Sequence, residues 1–245
     1  LLTGGAGYIG SHVANNLIDA GHSVHIVDNL ITGNKNLIPK EAIFTNCNIN
    51  DSIKIEKILN ENKFDLLMHF AGYIQVEESV GLPSKYFENN TLNSIKLFKT
   101  CKKNNLNKIL FSSTASIYGN KTNSGTVSET DPPDPQNPYA ESKLRTENFL
   151  RDNQNDYQFI ILRYFNVAGA DKKLRTGQIS KKSTHLIKIL SEIAIGKKAY
   201  LEVYGNDYNT HDGTAIRDYI HVTDLADIHI EVSKYLLNNS KSEIF

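Results

Sequence analysis

The chain has 245 residues, 27 basic and 27 acidic, for a formal net charge of zero. That length suits one sizeable α/β core with a small appended lobe, and the balanced charge argues against nucleic acid or a membrane surface as a partner. Cys47 and Cys101 form neither a disulfide framework nor a metal-ligand spacing, which fits a reducing, cytoplasmic setting. No apolar run approaches the ~20 residues needed to span a bilayer.

In chain order, Leu1-Leu2 reads as the end of a buried strand. The pattern Thr3-Gly4-Gly5-Ala6-Gly7-Tyr8-Ile9-Gly10 follows, and then an amphipathic stretch over residues 8–20. Residues 23–28, 64–71, 108–113 and 159–164 read as strands. Residues 52–62, 84–104 and 138–154 read as helices, the last opened by a stiff proline-rich loop ending at Pro138. Strands alternating with helices predict a doubly wound parallel sheet. After Asn166 the alternation fades. Residues 172–213 are polar and irregular, with one helical run near residues 185–195, and a smaller substrate lobe is expected there. The division expected is residues 1–166 for dinucleotide binding. Residues 167–245 should be mainly a substrate lobe, incomplete, with some segments returning to the sheet. With only two apolar residues before the first glycines and a strand starting near Ile244-Phe245, the chain reads as truncated at both ends.

Glycines in the first loop permit a tight turn and close approach of a pyrophosphate to the following helix N-terminus, although an ordinary Gly-rich turn would share the pattern. Asp28 closes the next strand, where a carboxylate accepts hydrogen bonds from the adenosine ribose and repels a 2′-phosphate. This favours NAD over NADP; a solvated turn aspartate is the plainer alternative. Tyr139 and Lys143 stand at i, i+4 on one helix face. A phenol titrates near ~10, and a nearby ammonium would lower that value and let Tyr139 act as a base. Phe111-Ser112-Ser113-Thr114 brings hydroxyls to a strand's carboxyl end, where open α/β sheets bind ligands. A Ser/Thr turn satisfying its own backbone would look the same. The histidines show no metal-ligand spacing, and no metal is expected.

Residues 3–12, His69-Phe70-Ala71-Gly72, residues 111–119, Pro138-Tyr139-Ala140-Glu141-Ser142-Lys143, Leu162-Arg163-Tyr164-Phe165-Asn166 and Arg217-Asp218-Tyr219-Ile220-His221-Val222 together closely resemble the UDP-glucose 4-epimerase family of extended short-chain dehydrogenase/reductases. The resemblance implies a Rossmann-type fold, NAD as cofactor and a UDP-sugar as substrate. It also implies inversion at C4 of a UDP-hexose through a 4-keto intermediate. By motif, Thr114, Tyr139 and Lys143 become the catalytic set. Gly4, Gly7, Tyr8, Ile9 and Gly10 become the pyrophosphate loop, and Asp28 and Asn29 the ribose contacts. Asn48 and Ile49 flank the adenine. Phe70, Ala71, Gly72, Asn89 and Ser112 line the cofactor channel, with Tyr164 and Phe165 beside the nicotinamide. Thr114, Tyr139, Asn166, His185, Tyr204 and Arg217 contact the UDP-sugar. A guanidinium suits a diphosphate, though Arg217 could instead pair with Asp218.

The chain departs from the pattern at Cys47-Asn48-Ile49, where the family often has Gly-Asp-Ile. It departs again at Ile74, where a well-known bacterial form carries a cofactor-contacting Lys, and at His185, where the family usually has Asn. Thr114 is followed by Ala115-Ser116 rather than the Asp-Glu a 4,6-dehydratase needs. Other UDP-sugars (an N-acetylhexosamine, pentose or uronate) stay open as substrates. A non-catalytic NAD-binding module would be expected to lose Tyr139 or Lys143. The helices over residues 84–104 and 138–154 resemble those that pair in family homodimers; their apolar stripes could equally face the sheet.

Overall fold

The structure, a computed structural model, describes residues 1–119, 126–180, 184–239 and 241–245. The chain opens with β1 (Leu2–Thr3), α1 (Tyr8–Asp19), β2 (His25–Asp28), β3 (Ile43–Asn46), α2 (Ser52–Glu61) and β4 (Leu67–His69). Two short helices follow, α3 (Val76–Gly81) and α4 (Pro83–Tyr86), then a π-helical stretch at Phe87–Asn93 and α5 (Ser94–Lys103). Next come β5 (Lys108–Ser112), α6 (Pro138–Asp152), β6 (Gln158–Leu162) and β7 (Asn166–Ala168). The last elements are α7 (Leu186–Ala194), β8 (Tyr219–His221), α8 (Val222–Asn239) and β9 (Glu243–Ile244).

Seven strands form one parallel sheet in the order β3-β2-β1-β4-β5-β6-β9. The doubly wound sheet expected from the alternation is therefore present. The strand order reverses between β1 and β4, and such a reversal opens a ligand crevice at the strands' carboxyl ends. Successive β5 residues serve opposite faces: Ile109 and Phe111 pack with α2, α5 and α6, and Leu110 packs with α1 and α8. The small pair β7–β8 stands apart from the main sheet and is also parallel.

Asn137 caps α6 by accepting from the Ala140 N–H at 2.9 Å, with Pro138 at its first position. This fixes where Tyr139 begins its helix. His69, fully buried at the end of β4, ties three elements together. It bonds Thr3 Oγ1 at 2.6 Å and Ser94 Oγ at 2.8 Å.

Several boundaries differ from the sequence reading. The single helix expected over residues 84–104 is broken into α4, the π-helical stretch and α5. A π segment shifts the helical phase and is favoured where side chains must be re-aimed. Here it turns Asn90 inward: Asn90 is 1% exposed, accepts from the Tyr73 N–H and donates to the Tyr73 carbonyl, both at 2.9 Å. The long helix α8 was not anticipated. Helix α8 lies against α1, and β9 joins the sheet beside β6, so the chain's last quarter contributes to the main body. Among the described residues, no helix is long and apolar enough to cross a membrane.

Leu110 is fully buried in the central strand β5. Leu110→Ala should cost about 2–5 kcal/mol through lost burial and a residual cavity. Urea unfolding should show a lower midpoint with an unchanged slope.

Candidate active site

Where the chain leaves β1 it has no room for side chains. Gly4 has φ +76°, and a Cβ there would lie 2.5 Å from the Ala71 backbone nitrogen just beyond β4. A Cβ on Gly10 would overlap the Gly4 carbonyl oxygen. The loop curls onto Asp28, whose Oδ2 accepts from the Ala6 N–H at 3.0 Å and whose Oδ1 accepts from the Leu30 N–H at 2.8 Å. Burial pushes the Asp28 carboxyl up, and these two N–H bonds oppose that shift. Gly7 caps α1 without a side-chain acceptor. Among the described residues, the N–H groups of Tyr8, Ile9 and Gly10 find no protein acceptor. Three orphan donors at a helix N-terminus beside a Gly-lined turn could cradle an anion such as a pyrophosphate. Asn29 and Asn48 bond their own loops, accepting from the Ile31 N–H at 3.0 Å and the Asn50 N–H at 3.2 Å. Ile49 is buried beside them.

Across the crevice, α6 presents Tyr139 and Lys143 to the end of β5. Lys143 is 4% exposed, and its Nζ donates to the Ser112 carbonyl at 2.8 Å over the Phe111 ring. The Ser112 hydroxyl bonds the Tyr164 hydroxyl. The Thr114 hydroxyl, which accepts from the Ser116 N–H at 3.1 Å, stands close enough to the Tyr139 phenol to favour its ionised form. Gly72 lies between Asn90 and Lys143, so its bare Cα keeps this side of the crevice open. Asn89 donates to Asn90 Oδ1 at 3.0 Å.

The electrostatics differ from the sequence expectation at Tyr139. Its phenol is pushed up by burial, with the Thr114 hydroxyl as the opposing influence. Lys143 is not among the influences on it, and its ammonium donates to the Ser112 carbonyl. Lys143 is itself brought down to about 8 by burial, against the pull of Glu147.

The structure thus brings Gly4, Gly7, Gly10, Phe70, Ala71 and Gly72 to the switch point, and gathers Ser112, Thr114, Tyr139, Lys143 and Tyr164 beside it. It does not gather all the expected sugar-nucleotide residues. Asn166 in β7 donates to the Asp218 carbonyl at 2.9 Å. His185 caps α7 and is held below the usual histidine range by burial. Phe165 is half exposed. Tyr204 is 94% exposed and its hydroxyl donates to Glu202 at 2.9 Å. Arg217 is exposed and donates to its neighbour, the Ile216 carbonyl, rather than to Asp218. Neither Tyr204 nor Arg217 reaches the Tyr139 group by a hydrogen bond.

Sequence reasoning passed over Asn90, Glu147 and Arg163. Glu147 is the third member of the series Tyr139, Lys143, Glu147 at steps of four, and that spacing on one helix face was the available signal. Among the described residues, no group of three His, Cys, Asp or Glu is placed to hold a metal ion.

A doubly wound parallel sheet with a glycine loop at its switch point, and a Tyr/Lys pair on one helix against a hydroxyl-bearing strand end, defines a dinucleotide-dependent enzyme of the short-chain dehydrogenase/reductase class. Comparison with known proteins narrows this. The chain belongs to the NAD dependent epimerase/dehydratase family, whose family model matches residues 1–245. It is 46% identical over 232 residues to a UDP-glucose 4-epimerase of Azospirillum brasilense, covering 94% of this chain and 66% of that relative. It is 43% identical over 244 residues to a UDP-glucose 4-epimerase of Lacticaseibacillus casei, covering 99% and 73%. A UDP-glucose 4-epimerase from Bifidobacterium longum, solved in complex with NAD+ and UDP, superposes with a TM-score of 0.91 at 35% identity, covering 100% of this chain and 75% of that one.

The burial of Lys143 has a measurable consequence. In the free chain, NMR of lysine side-chain methylenes should show one lysine with a midpoint near 8, against an ordinary 10.5. Because the folded value lies below the unfolded one, the unfolded chain binds the extra proton between those pH values. The contribution of this group to stability therefore rises as pH climbs through that window.

Proposed function

We propose that this chain catalyses NAD-dependent C4 epimerisation of a UDP-hexose, interconverting UDP-glucose and UDP-galactose through a 4-keto intermediate. The observation that carries the reading is the approach of half-buried Tyr139 to Thr114, one helical turn from buried Lys143, at the mouth of the glycine-loop crevice. The orphan N–H groups of Tyr8, Ile9 and Gly10 and the Asp28 carboxylate suit NAD. Phe70, Ala71, Gly72, Asn89, Ser112, Tyr164 and Phe165 would line its path, and Asn29, Asn48 and Ile49 would flank its adenosine end. When bound, NAD supplies acceptance and return of a hydride.

The chain's own residues do the remaining work. Tyr139 Oη takes the proton from the sugar 4-hydroxyl and later gives it back. The Thr114 hydroxyl holds the reacting oxygen and the phenol in one hydrogen-bonded line. Lys143, one turn along the same helix, would hold the nicotinamide ribose, and added positive charge in the filled site would favour phenolate. The 4-keto sugar turns about its link to UDP and recovers the hydride on its opposite face. Asn166, His185, Tyr204 and Arg217 would hold the nucleotide during that turn, so that binding energy keeps the intermediate in place. Ala115 and Ser116 follow Thr114 in a 3-10 turn, so no acid–base pair for dehydration stands there. Residues 1–166 would serve mainly NAD and residues 167–245 mainly the sugar nucleotide. Free, buried Cys47 and Cys101 suit the cytoplasm. Leu92, 62% exposed beside α5, suits a homodimer contact.

The test is direct. The full chain, incubated with UDP-galactose with and without added NAD, should yield UDP-glucose by NMR. Added NAD should raise the rate, since Ile74, 58% exposed, supplies no cationic contact to a cofactor. Tyr139→Phe should keep its bound NAD and lose at least ~100-fold in turnover. Near-normal turnover in that variant would remove Tyr139 from the mechanism.

A further inference from the structure

The geometry points to a positioning role for the buried Glu147–Arg163 pair. It clamps the helix that carries Tyr139 and Lys143 onto the strand end that carries Thr114, and it sets the charge Lys143 feels. The inference rests on the reading of Thr114, Tyr139 and Lys143 as the reacting group.

The two side chains are 0% and 3% exposed, and Arg163 Nη2 meets Glu147 Oε2 at 2.6 Å. Arg163 Nε donates to both carboxylate oxygens, at 3.2 and 3.1 Å. Glu147 Oε1 also accepts from the Ser113 hydroxyl, one residue before Thr114. Arg163 follows β6 directly and precedes Tyr164. Its Nη1 donates to the Tyr118 hydroxyl at 2.8 Å and to the Glu129 carbonyl at 3.3 Å. One ion pair therefore touches α6, the ends of β5 and β6, the 3-10 turn after Thr114 and the segment leading into α6.

A structural role alone would be met as well by apolar residues. Burying two charges is costly, and a buried pair replaced by well-packed hydrophobic side chains often leaves a protein equally or more stable. What apolar packing cannot supply is a fixed hydrogen-bond register and a negative charge two helical turns below Tyr139. The groups facing Lys143 from the surrounding elements are few. The Ser112 carbonyl and the Phe111 ring come from β5. Asn90 comes from the π-helical stretch, across Gly72. His69 comes from β4, and burial brings it down to about 3, so it is neutral. Tyr139 and Glu147 share the helix of Lys143. Glu147 is the carboxylate that offsets the burial of Lys143.

The experiment compares wild type with Glu147→Gln in the full chain. Two readouts are taken: the Lys143 midpoint by NMR without cofactor or substrate, and kcat and KM with UDP-galactose and saturating NAD. Removing the carboxylate should lower the Lys143 midpoint by roughly half a unit or more. It should lower kcat by about 10-fold or more, with KM and bound NAD within about 3-fold of wild type, as expected when only the reacting geometry is lost. Should Glu147→Gln fail to fold because Arg163 is left unpaired, Glu147→Gln/Arg163→Met removes both charges and is read the same way. A wild-type midpoint or a wild-type kcat in a folded variant overturns the inference. If wild type shows no turnover, the epimerase reading fails, and the Lys143 midpoint alone decides the role of Glu147.

Discussion

The close approach of backbone to backbone at the switch point is the constraint on which the rest depends. Gly4 turns out of β1 directly against the Ala71 backbone, and Gly10 sits on the Gly4 carbonyl. Any side chain at either position would push β1 and β4 apart or unseat the start of α1. With both bare, the Ala6 N–H reaches Asp28 and α1 aims its first N–H groups across the crevice. The adjacency of β1 and β4, the curl of the loop and the direction of α1 are thus one geometric fact. The reaction centre inherits its position from it, because Gly72 follows β4 and faces Lys143.

Burial acts on nearly every titratable group around that centre, and the chain compensates unevenly. His69 is simply neutral, held between two hydroxyls and stacked on Phe111. Lys143 keeps a carbonyl, an aromatic face and a carboxylate in reach, and so stays largely protonated at neutral pH. Arg163 and Glu147 neutralise each other within a network that leaves no hydrogen-bonding arm idle. Low local dielectric makes such networks costly when half satisfied and rigid when complete. Rigidity is what a crevice needs if Tyr139 and Thr114 are to hold a hydroxyl between them.

Much of this was legible in the residues. Strands β5 and β6 are buried on both faces and read as continuous apolar runs. The glycine spacing and the Tyr139/Lys143 step fall where backbone geometry demands them. Edge strand β3 is only weakly marked, because at a sheet edge Ile43 is 58% exposed and no apolar pattern is required of it. Helix α8 carries a clear i, i+3, i+4 stripe through Val222, Leu225, Ala226, His229 and Ile230. It was overlooked because its first residue closes the Arg217–Val222 motif. The π-helical stretch could not be read, since at 7 residues it is too short for its changed period to stand out from the helical pattern on either side. Asn90 and Glu147 escaped for a different reason: a polar side chain is buried only when its partners come from elsewhere. Those partners are Tyr73 and Ser142 for Asn90, and Ser113 and Arg163 for Glu147. Tyr204 and Arg217 were read as substrate contacts by motif, and both stand in solvent here.

The raised phenol of Tyr139 is consistent with its place in the reaction. In the free chain, burial favours the neutral form of both Tyr139 and Lys143, and the ammonium is committed to the Ser112 carbonyl. A tyrosine so placed is a resting acid. Becoming a base requires added positive charge, or a hydrogen bond to the ionised oxygen, within a few ångströms. Thr114 already stands close enough to supply one such bond, and a ligand seated over the glycine loop would complete the rest. Proton removal would then be confined to the filled crevice.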